Sequence, residues 1–303
     1  MCDIWKTDSV QEISAEELER HAAALERLHV EWVVFSGGEP LMHSDLFRLS
    51  SILKRRNIRT TILSTGLLFE RLAQRIAGSI DDAIVSLDGP PHIHDRIRRV
   101  PGAFESLDRG VRAIHRVSAG FPIGGRCTVQ RENHSYLRET VATARAAGLA
   151  SISFLAADMT SQAFNRSDPT QAETLSYLNP EQIRALETEI EALIAAGDPF
   201  ILETPDKLRR IVRHFRAHQG LVEPEAPRCN APWVSAVIES DGTVRPCFFH
   251  APLGNLRGRS LVEVLNGPVA LEFRSNLNIP ENPICRRWML MTVWPMFILK
   301  SVD

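Results

Sequence analysis

Between Ser14 and Ala157, short apolar runs alternate with amphipathic stretches. SAEELERHAAALERL carries apolar residues at helical spacing behind Ser14, and Glu17, three positions on, completes a capping box. EWVVFSGGEP then reads as a buried strand that breaks into a glycine turn. The alternation repeats. DLFRLSSILKRRN, LFERLAQRIA, FESLDRGVRAIHRV and SYLRETVATARAAG have helical periodicity, while RTTILST, DAIVSLD, IGGRCTV and SISFLAA read as strands. β-rich runs separated by amphipathic helices predict an α/β domain, a parallel sheet covered by helices. An open sheet and a partial barrel both fit.

After Ala157 the pattern lapses into DMTSQAFNRSDPTQAETLS, polar and without a period, long enough for a lid over residues 158–180. NPEQIRALETEIEALIAAG and TPDKLRRIVRHFRAHQG restore helices. The texture changes again near Pro227. WVSAVIESDGTVRPC predicts a hairpin around Ser240, Asp241 and Gly242, followed by a short helix in RSLVEVLNG. The tail MLMTVWPMFILK is apolar but too short to span a bilayer, and core packing or disorder is expected of it.

Composition narrows the field of partners. With 35 Lys+Arg against 37 Asp+Glu, the chain has no field to attract nucleic acid or an acidic membrane. It opens with no secretory signal, so a cytoplasmic location is expected. Five dispersed cysteines, Cys2, Cys127, Cys229, Cys247 and Cys285, argue for metal or redox chemistry over disulfides. Cys127, inside a predicted strand, is expected to be a buried small hydrophobe.

In α/β sheets and barrels, ligands gather at the carboxyl ends of the strands. Here those ends hold Gly37, Gly38, Glu39 and Pro40 after the first strand, and Ser64, Thr65 and Gly66 after the second. Ser86, Asp88 and Gly89 follow the third, and Arg126 and Thr128 lie on the fourth. Glycines admit a ligand to the backbone, small hydroxyls and carboxylates suit sugar hydroxyls or an amine, and a guanidinium clamps a carboxylate at two points. His92 and His94, after Pro90 and Pro91, are expected in a loop, and RIRR (96–99) on a solvated face.

This ordered set resembles the radical S-adenosylmethionine (radical SAM) superfamily, SPASM/twitch subfamily. In that family a loop after the first strand carries C-x3-C-x2-C, and a later strand ends in GGEP. MCDIW looks like the close of that loop, with Cys2 matching the third cysteine, and SGGEPLM, STG, VSLDGP and RCTVQREN are similar to later strands. The resemblance implies a partial (β/α)6 TIM-like barrel lacking its first strand, with a small C-terminal α+β SPASM/twitch-like extension. It implies residues 1–200 for the core, 201–226 for a connecting helix and linker, and 227–303 for the auxiliary cluster domain.

The chemistry implied is reductive cleavage of S-adenosylmethionine at a [4Fe–4S] cluster, followed by hydrogen abstraction from a small-molecule or peptide substrate. A reducing electron donor is required. By resemblance the GGEP stretch around Glu39 takes the methionyl amine, Ser86 and Asp88 face the ribose or amine, Arg126 the carboxylate and Leu155 the adenine. RCNAPW, VIESDGTVRPC and NPICRRW resemble an auxiliary iron–sulfur segment, giving Cys229, Cys247 and Cys285 as ligands. A fourth ligand is open: a substrate group, water or His250, and zinc is the alternative metal. The position where the family has a further cysteine is Trp288.

Because the chain begins at Met1, two core cysteines and the first strand are missing from this sequence. A miscalled start or a true fragment is expected, the latter a cluster-free remnant or binding module. The truncation also predicts a bare barrel edge, an aggregation hazard.

Overall fold

A computed structural model describes residues 11–158, 177–225 and 228–286, together with the backbone of 297–301. Five parallel strands form the larger half: β1 (Trp32–Gly37), β2 (Arg59–Ser64), β3 (Asp82–Ser86), β4 (Ile123–Val129) and β5 (Ser151–Ala156). Successive strands are neighbours, with Val34 opposite Thr61, Ser64 opposite Val85, Ser86 opposite Arg126 and Arg126 opposite Ser153. Parallel neighbours need crossovers, supplied by α3 (Leu46–Lys54), α4 (Phe69–Ser79), α5 (Pro91–Arg98) with α6 (Ala103–Val117), and α7 (Leu137–Ala146). Beyond β5, Ile201 bridges Ile152 in parallel, a rudimentary further strand between α8 (Pro180–Ala196) and α9 (Pro205–His218).

The core lies between strands and helices. Leu49, Leu53, Ile62, Ile76, Val85, Leu107, Ile114 and Cys127 are buried there. On β4, Ile123, Cys127 and Val129 are buried on the helix side, while Gly124, Arg126 and Thr128 alternate with them onto the half-buried inner face. Cys127 is thus a small apolar filler, and burial pushes its thiol well up.

Several expectations need revision. The first helix is two, α1 (Ala15–Arg20) and α2 (Ala22–Arg27), broken at His21, though Ser14 and Glu17 form the capping box. The His92–His94 stretch is helical: Pro90 and Pro91 start α5 instead of extending a loop, and His94 is buried.

The edge of β1 is not bare. The C-terminal strand β9 (Phe297–Ser301) runs parallel to it, Val33 opposite Phe297 and Gly37 opposite Ser301. An apolar tail segment meets the row of N–H and C=O groups that an open edge presents. On its far side β9 pairs with β6 (Ala236–Ile238), whose antiparallel partner β7 (Thr243–Arg245) leads to β8 (Gly254–Asn255). The predicted hairpin turns where Asp241 accepts from the Thr243 amide and hydroxyl. Gly242 has φ 83 there, and a Cβ would stand 3.0 Å from Asn255 Oδ1. Four more helices complete this part: α10 (Ala231–Val234), α11 (Leu261–Asn266), α12 (Pro268–Asn276) and α13 (Pro283–Arg286). Among the described residues no helix is long and apolar enough to cross a membrane.

Candidate functional site

The GGEP turn is held from behind. β1 ends on Gly37 at φ 139, a conformation that favours glycine, and Pro40 opens a single 3-10 turn, Pro40–Met42. Glu39 accepts from Leu41 N at 3.2 Å and Ser64 Oγ at 2.8 Å through Oε1. Its Oε2 accepts from the Thr65 amide at 2.9 Å and the Thr65 hydroxyl at 2.5 Å. Four donors saturate a carboxylate. Glu39 therefore fastens the turn to the tip of β2, and an approaching ammonium meets the backbone of the turn. Ser64 is buried and also takes the Gly66 amide at 3.0 Å, so it belongs to the same fastening.

Ser86 ends β3, Arg126 lies opposite it at the middle of β4, and Leu155 stands near the end of β5, all on the inner face, with Ser153 opposite Arg126. Arg126 Nε donates to Ser153 Oγ at 3.2 Å. Its terminal nitrogens and the Ser86 hydroxyl have no hydrogen-bond partner among the described residues, so they offer donors to an anionic, hydroxylated ligand. Burial lowers the Arg126 guanidinium from its ordinary range, and the Glu203 carboxylate works against that.

Glu203 was not anticipated. It follows the Ile201 bridge, accepts from Phe154 N at 2.9 Å, and is raised by burial against the opposing pull of that N–H and of Arg126. The signal was present in PFILE after the helix-ending Gly197, an apolar run with an acid at its tip. His214 was also missed. Its Nε2 lies 3.1 Å from Ala157 O, and burial, then His218, pulls it down to about 4.

Asp88 does not join the inner face. It is fully buried, with Oδ1 accepting from Thr128 N at 3.0 Å and Oδ2 2.5 Å from Arg98 Nη2. Its own N–H donates to His94 Nδ1 at 3.2 Å, and its carbonyl accepts from Asn133 Nδ2 at 2.9 Å. Burial pulls His94 down to about 4, which keeps Nδ1 free to accept. Within RIRR, Arg98 is therefore a partner of a buried acid and not part of a solvated face.

At the amino end of the strands a second network closes the inner face. Trp32 Nε1 donates to Thr61 Oγ1 at 2.7 Å, Thr61 donates to Asp82 at 2.8 Å, and Arg59 Nε donates to Asp82 at 2.7 Å. Above it, Val34 and Val237 pack with Leu63 and Phe248.

The C-terminal thiols gather beside the hairpin. Burial raises Cys247, while the N–H groups of Phe249 and His250 point at its sulfur and pull it back; Cys229 pushes it up. Cys285 is pushed up to about 11, by burial and then by the nearby Cys247 and Cys229 sulfurs. His250 is buried, with Nε2 3.3 Å from Cys285 Sγ. Among the described residues, no three His, Cys, Asp or Glu groups converge tightly enough to hold a single metal ion. A zinc ion draws its donors around one centre, whereas a cluster spreads them over several irons. The three thiols are neighbours beside the hairpin, with amide donors on one of their sulfurs. Cys2 and residues 159–176 of the expected lid lie outside the described residues.

Comparison with known proteins agrees with this layout. Residues 1–144 match the model of the radical SAM superfamily, and residues 229–287 that of the SPASM iron–sulfur cluster-binding domain. The AdoMet-dependent heme synthase of Oleidesulfovibrio alaskensis is 31% identical over 110 residues, 35% of this chain and 28% of that protein. The chain covers only 25% to 29% of the length of the first three curated relatives. Native anSMEcpe with bound AdoMet superposes with a TM-score of 0.62 at 17% identity, covering 94% of this chain and 84% of that one. Streptococcus suis SuiB bound to precursor peptide SuiA gives 0.63 at 16% identity, covering 91% and 63%. At such identities the likeness is one of fold. With both domain models matched in order along a half-barrel and its hairpin extension, the chain belongs to the radical SAM superfamily, in the subfamily that carries a SPASM domain.

Proposed function

We propose that the inner face at the carboxyl ends of β1 to β5 binds S-adenosylmethionine, and that the intact protein is a radical SAM enzyme. The observation that carries this is the pairing of the fastened GGEP turn with the open Arg126 and Ser86 side chains in one strand-end layer. The backbone around Gly37 and Gly38 receives the methionyl amine, Arg126 the carboxylate, Ser86 the ribose, and Leu155 packs on the adenine. Glu39, Ser64 and Pro40 hold the turn. Asp88 acts at one remove by locking β3 to β4. When bound at the family's [4Fe–4S] cluster, for which Cys2 is the ligand in this sequence, the cofactor supplies hydrogen abstraction from an unactivated C–H bond. Cys229, Cys247 and Cys285 hold an auxiliary iron–sulfur cluster.

A peptide is the first substrate reading, supported by the fold shared with SuiB, whose structure holds a precursor peptide. A tetrapyrrole is the second, favoured by the sequence match to a heme synthase. The test is anaerobic reconstitution of this chain, and of any in-frame upstream extension, followed by S-adenosylmethionine binding and 5′-deoxyadenosine release with a strong reductant. Absence of binding in both forms overturns the reading. Stimulation of release by a peptide or by a porphyrin carboxylate decides between the substrates.

A further inference from the structure

The inner face is filled on one side and open on the other. Register puts Leu63, Ile84, Gly124 and Ser151 in one row across β2 to β5, and Ser86, Arg126 and Ser153 in a row nearer the carboxyl ends. Toward β1 the space is taken, because Trp32 and Leu63 pack with Val34, Val237 and Phe248. Toward β5 it is not. A Cβ on Gly124 would meet, among the described residues, Ser151 Oγ alone within 4 Å, at 3.2 Å. A substrate group that passes the cofactor layer therefore has room against β4 and β5.

Glu203 borders that open side. Ile152 N donates to Phe200 O and Leu202 N to Ile152 O, the rungs of the Ile201 bridge, and Phe154 N, further along β5, turns instead to Glu203 Oε2 at 2.9 Å. This fixes the half-buried carboxylate at the edge of β5, beside Ser153 and Leu155. Arg126 and Lys207 both pull on it, yet among the described residues neither forms an ion pair with it. The acid at the other end of the inner face, Asp82, is held by Arg59 at 2.7 Å, and Glu39 and Asp88 are spent on their own fastenings. Arg126 is assigned to the carboxylate of the cofactor. A carboxylate withdrawn from water without a paired cation is costly to keep, and a cation brought by a ligand removes that cost.

We propose that Glu203 selects the substrate, taking a cationic group, an ammonium or a guanidinium, on a side chain of a peptide that enters the open side of the inner face. This rests on the reading that S-adenosylmethionine occupies the strand-end layer, and it narrows the peptide reading to substrates with a basic residue within reach of that layer. A porphyrin carboxylate would meet like charge at the same place.

The test uses the full chain saturated with S-adenosylhomocysteine and four probes, acetyl-Ala-X-Ala-amide with lysine, arginine, norleucine or glutamate at X, whose binding is read from their own NMR signals. The lysine or the arginine probe is expected to bind about tenfold tighter than norleucine, which has the length of lysine without its charge; the better of the two tells ammonium from guanidinium. Glu203→Gln keeps an acceptor for the Phe154 N–H and should erase the preference, and Glu203→Lys should turn it toward the glutamate probe. Gly124→Val fills the open side and should weaken the lysine and norleucine probes alike. Equal binding of lysine, arginine and norleucine probes, no binding of any probe, or a preference that survives Glu203→Gln overturns the assignment of Glu203. Probe affinities unmoved by Gly124→Val overturn its placement on the inner face. Failure of the wild-type chain to bind S-adenosylhomocysteine overturns the underlying reading of the cofactor layer instead.

Discussion

Glu39 Oε2 takes both the amide and the hydroxyl of Thr65, tying the turn after β1 to the tip of β2. A glutamine at this position would place an NH2 against one set of donors. Glu39→Gln is expected to lower stability by about 1–3 kcal/mol, the cost of leaving partly buried donors unmet. It should weaken S-adenosylmethionine binding about tenfold, or about 1.4 kcal/mol. Urea denaturation and titration calorimetry check both numbers, and an unchanged midpoint sinks the fastening role.

Arg98→Met strips the buried Asp88 carboxylate of its counter-charge. Breaking one side of a buried pair costs about 3–5 kcal/mol. Arg98→Met combined with Asp88→Asn should recover most of that loss, because the side-chain amide that replaces the carboxylate still accepts from the Thr128 N–H while carrying no charge. Denaturation midpoints of the two single variants and the double variant measure the coupling.

His94 gives the fold an acid limit. Its folded value, about 4, lies below the unfolded value near 6.5, so the unfolded chain binds the extra proton first. Stability is full above about pH 6.5 and is lost as the pH falls toward 4, by on the order of 3 kcal/mol from this one group. His94→Asn keeps an acceptor for the Asp88 amide and removes the titration. Its stability should fall less steeply over that window; parallel profiles would assign the loss elsewhere.

Arg126→Lys keeps a charge on the inner face and gives up the two-point geometry. An affinity for S-adenosylmethionine lower by about 10- to 100-fold is expected, about 1.4–2.8 kcal/mol. The melting temperature should scarcely move, since only the Ser153 contact is lost. An affinity equal to wild type would remove Arg126 from the ligand set.

Thr61→Val is the counterpart at the amino end of the strands. It leaves the Trp32 indole N–H and one Asp82 oxygen without their shared partner, at a cost of about 1–3 kcal/mol. Cofactor affinity should be unaffected, because this network lies at the opposite end of the strands from Arg126. A change in affinity without a change in stability would contradict that separation.

Local chemistry made the strand-and-helix order readable in advance. Apolar runs such as WVVF and DAIVS pack where periodicity puts them, and Ser14 with Glu17 caps the first helix because the capping box needs only four consecutive residues. What escaped depends on contacts distant along the chain. Asp88 reads as an exposed acid at a strand tip until Arg98, Thr128 and His94 fold around it. Glu203 gains meaning only when a short run after α8 lands beside β5. His250 reads in sequence as one of several candidate fourth ligands, and its contact with Cys285, 35 positions along the chain, becomes visible only in the folded structure.

The strand β9 has a consequence for how the molecule comes apart. With β1 along one side and β6 along the other, it makes the ladder of the half-barrel continuous with that of the hairpin. This last strand works as a clasp between two modules. Truncation before Phe297 should bare the facing edges of β1 and β6 and lower the melting temperature, while the packing of Val34 against Val237 still joins the two parts.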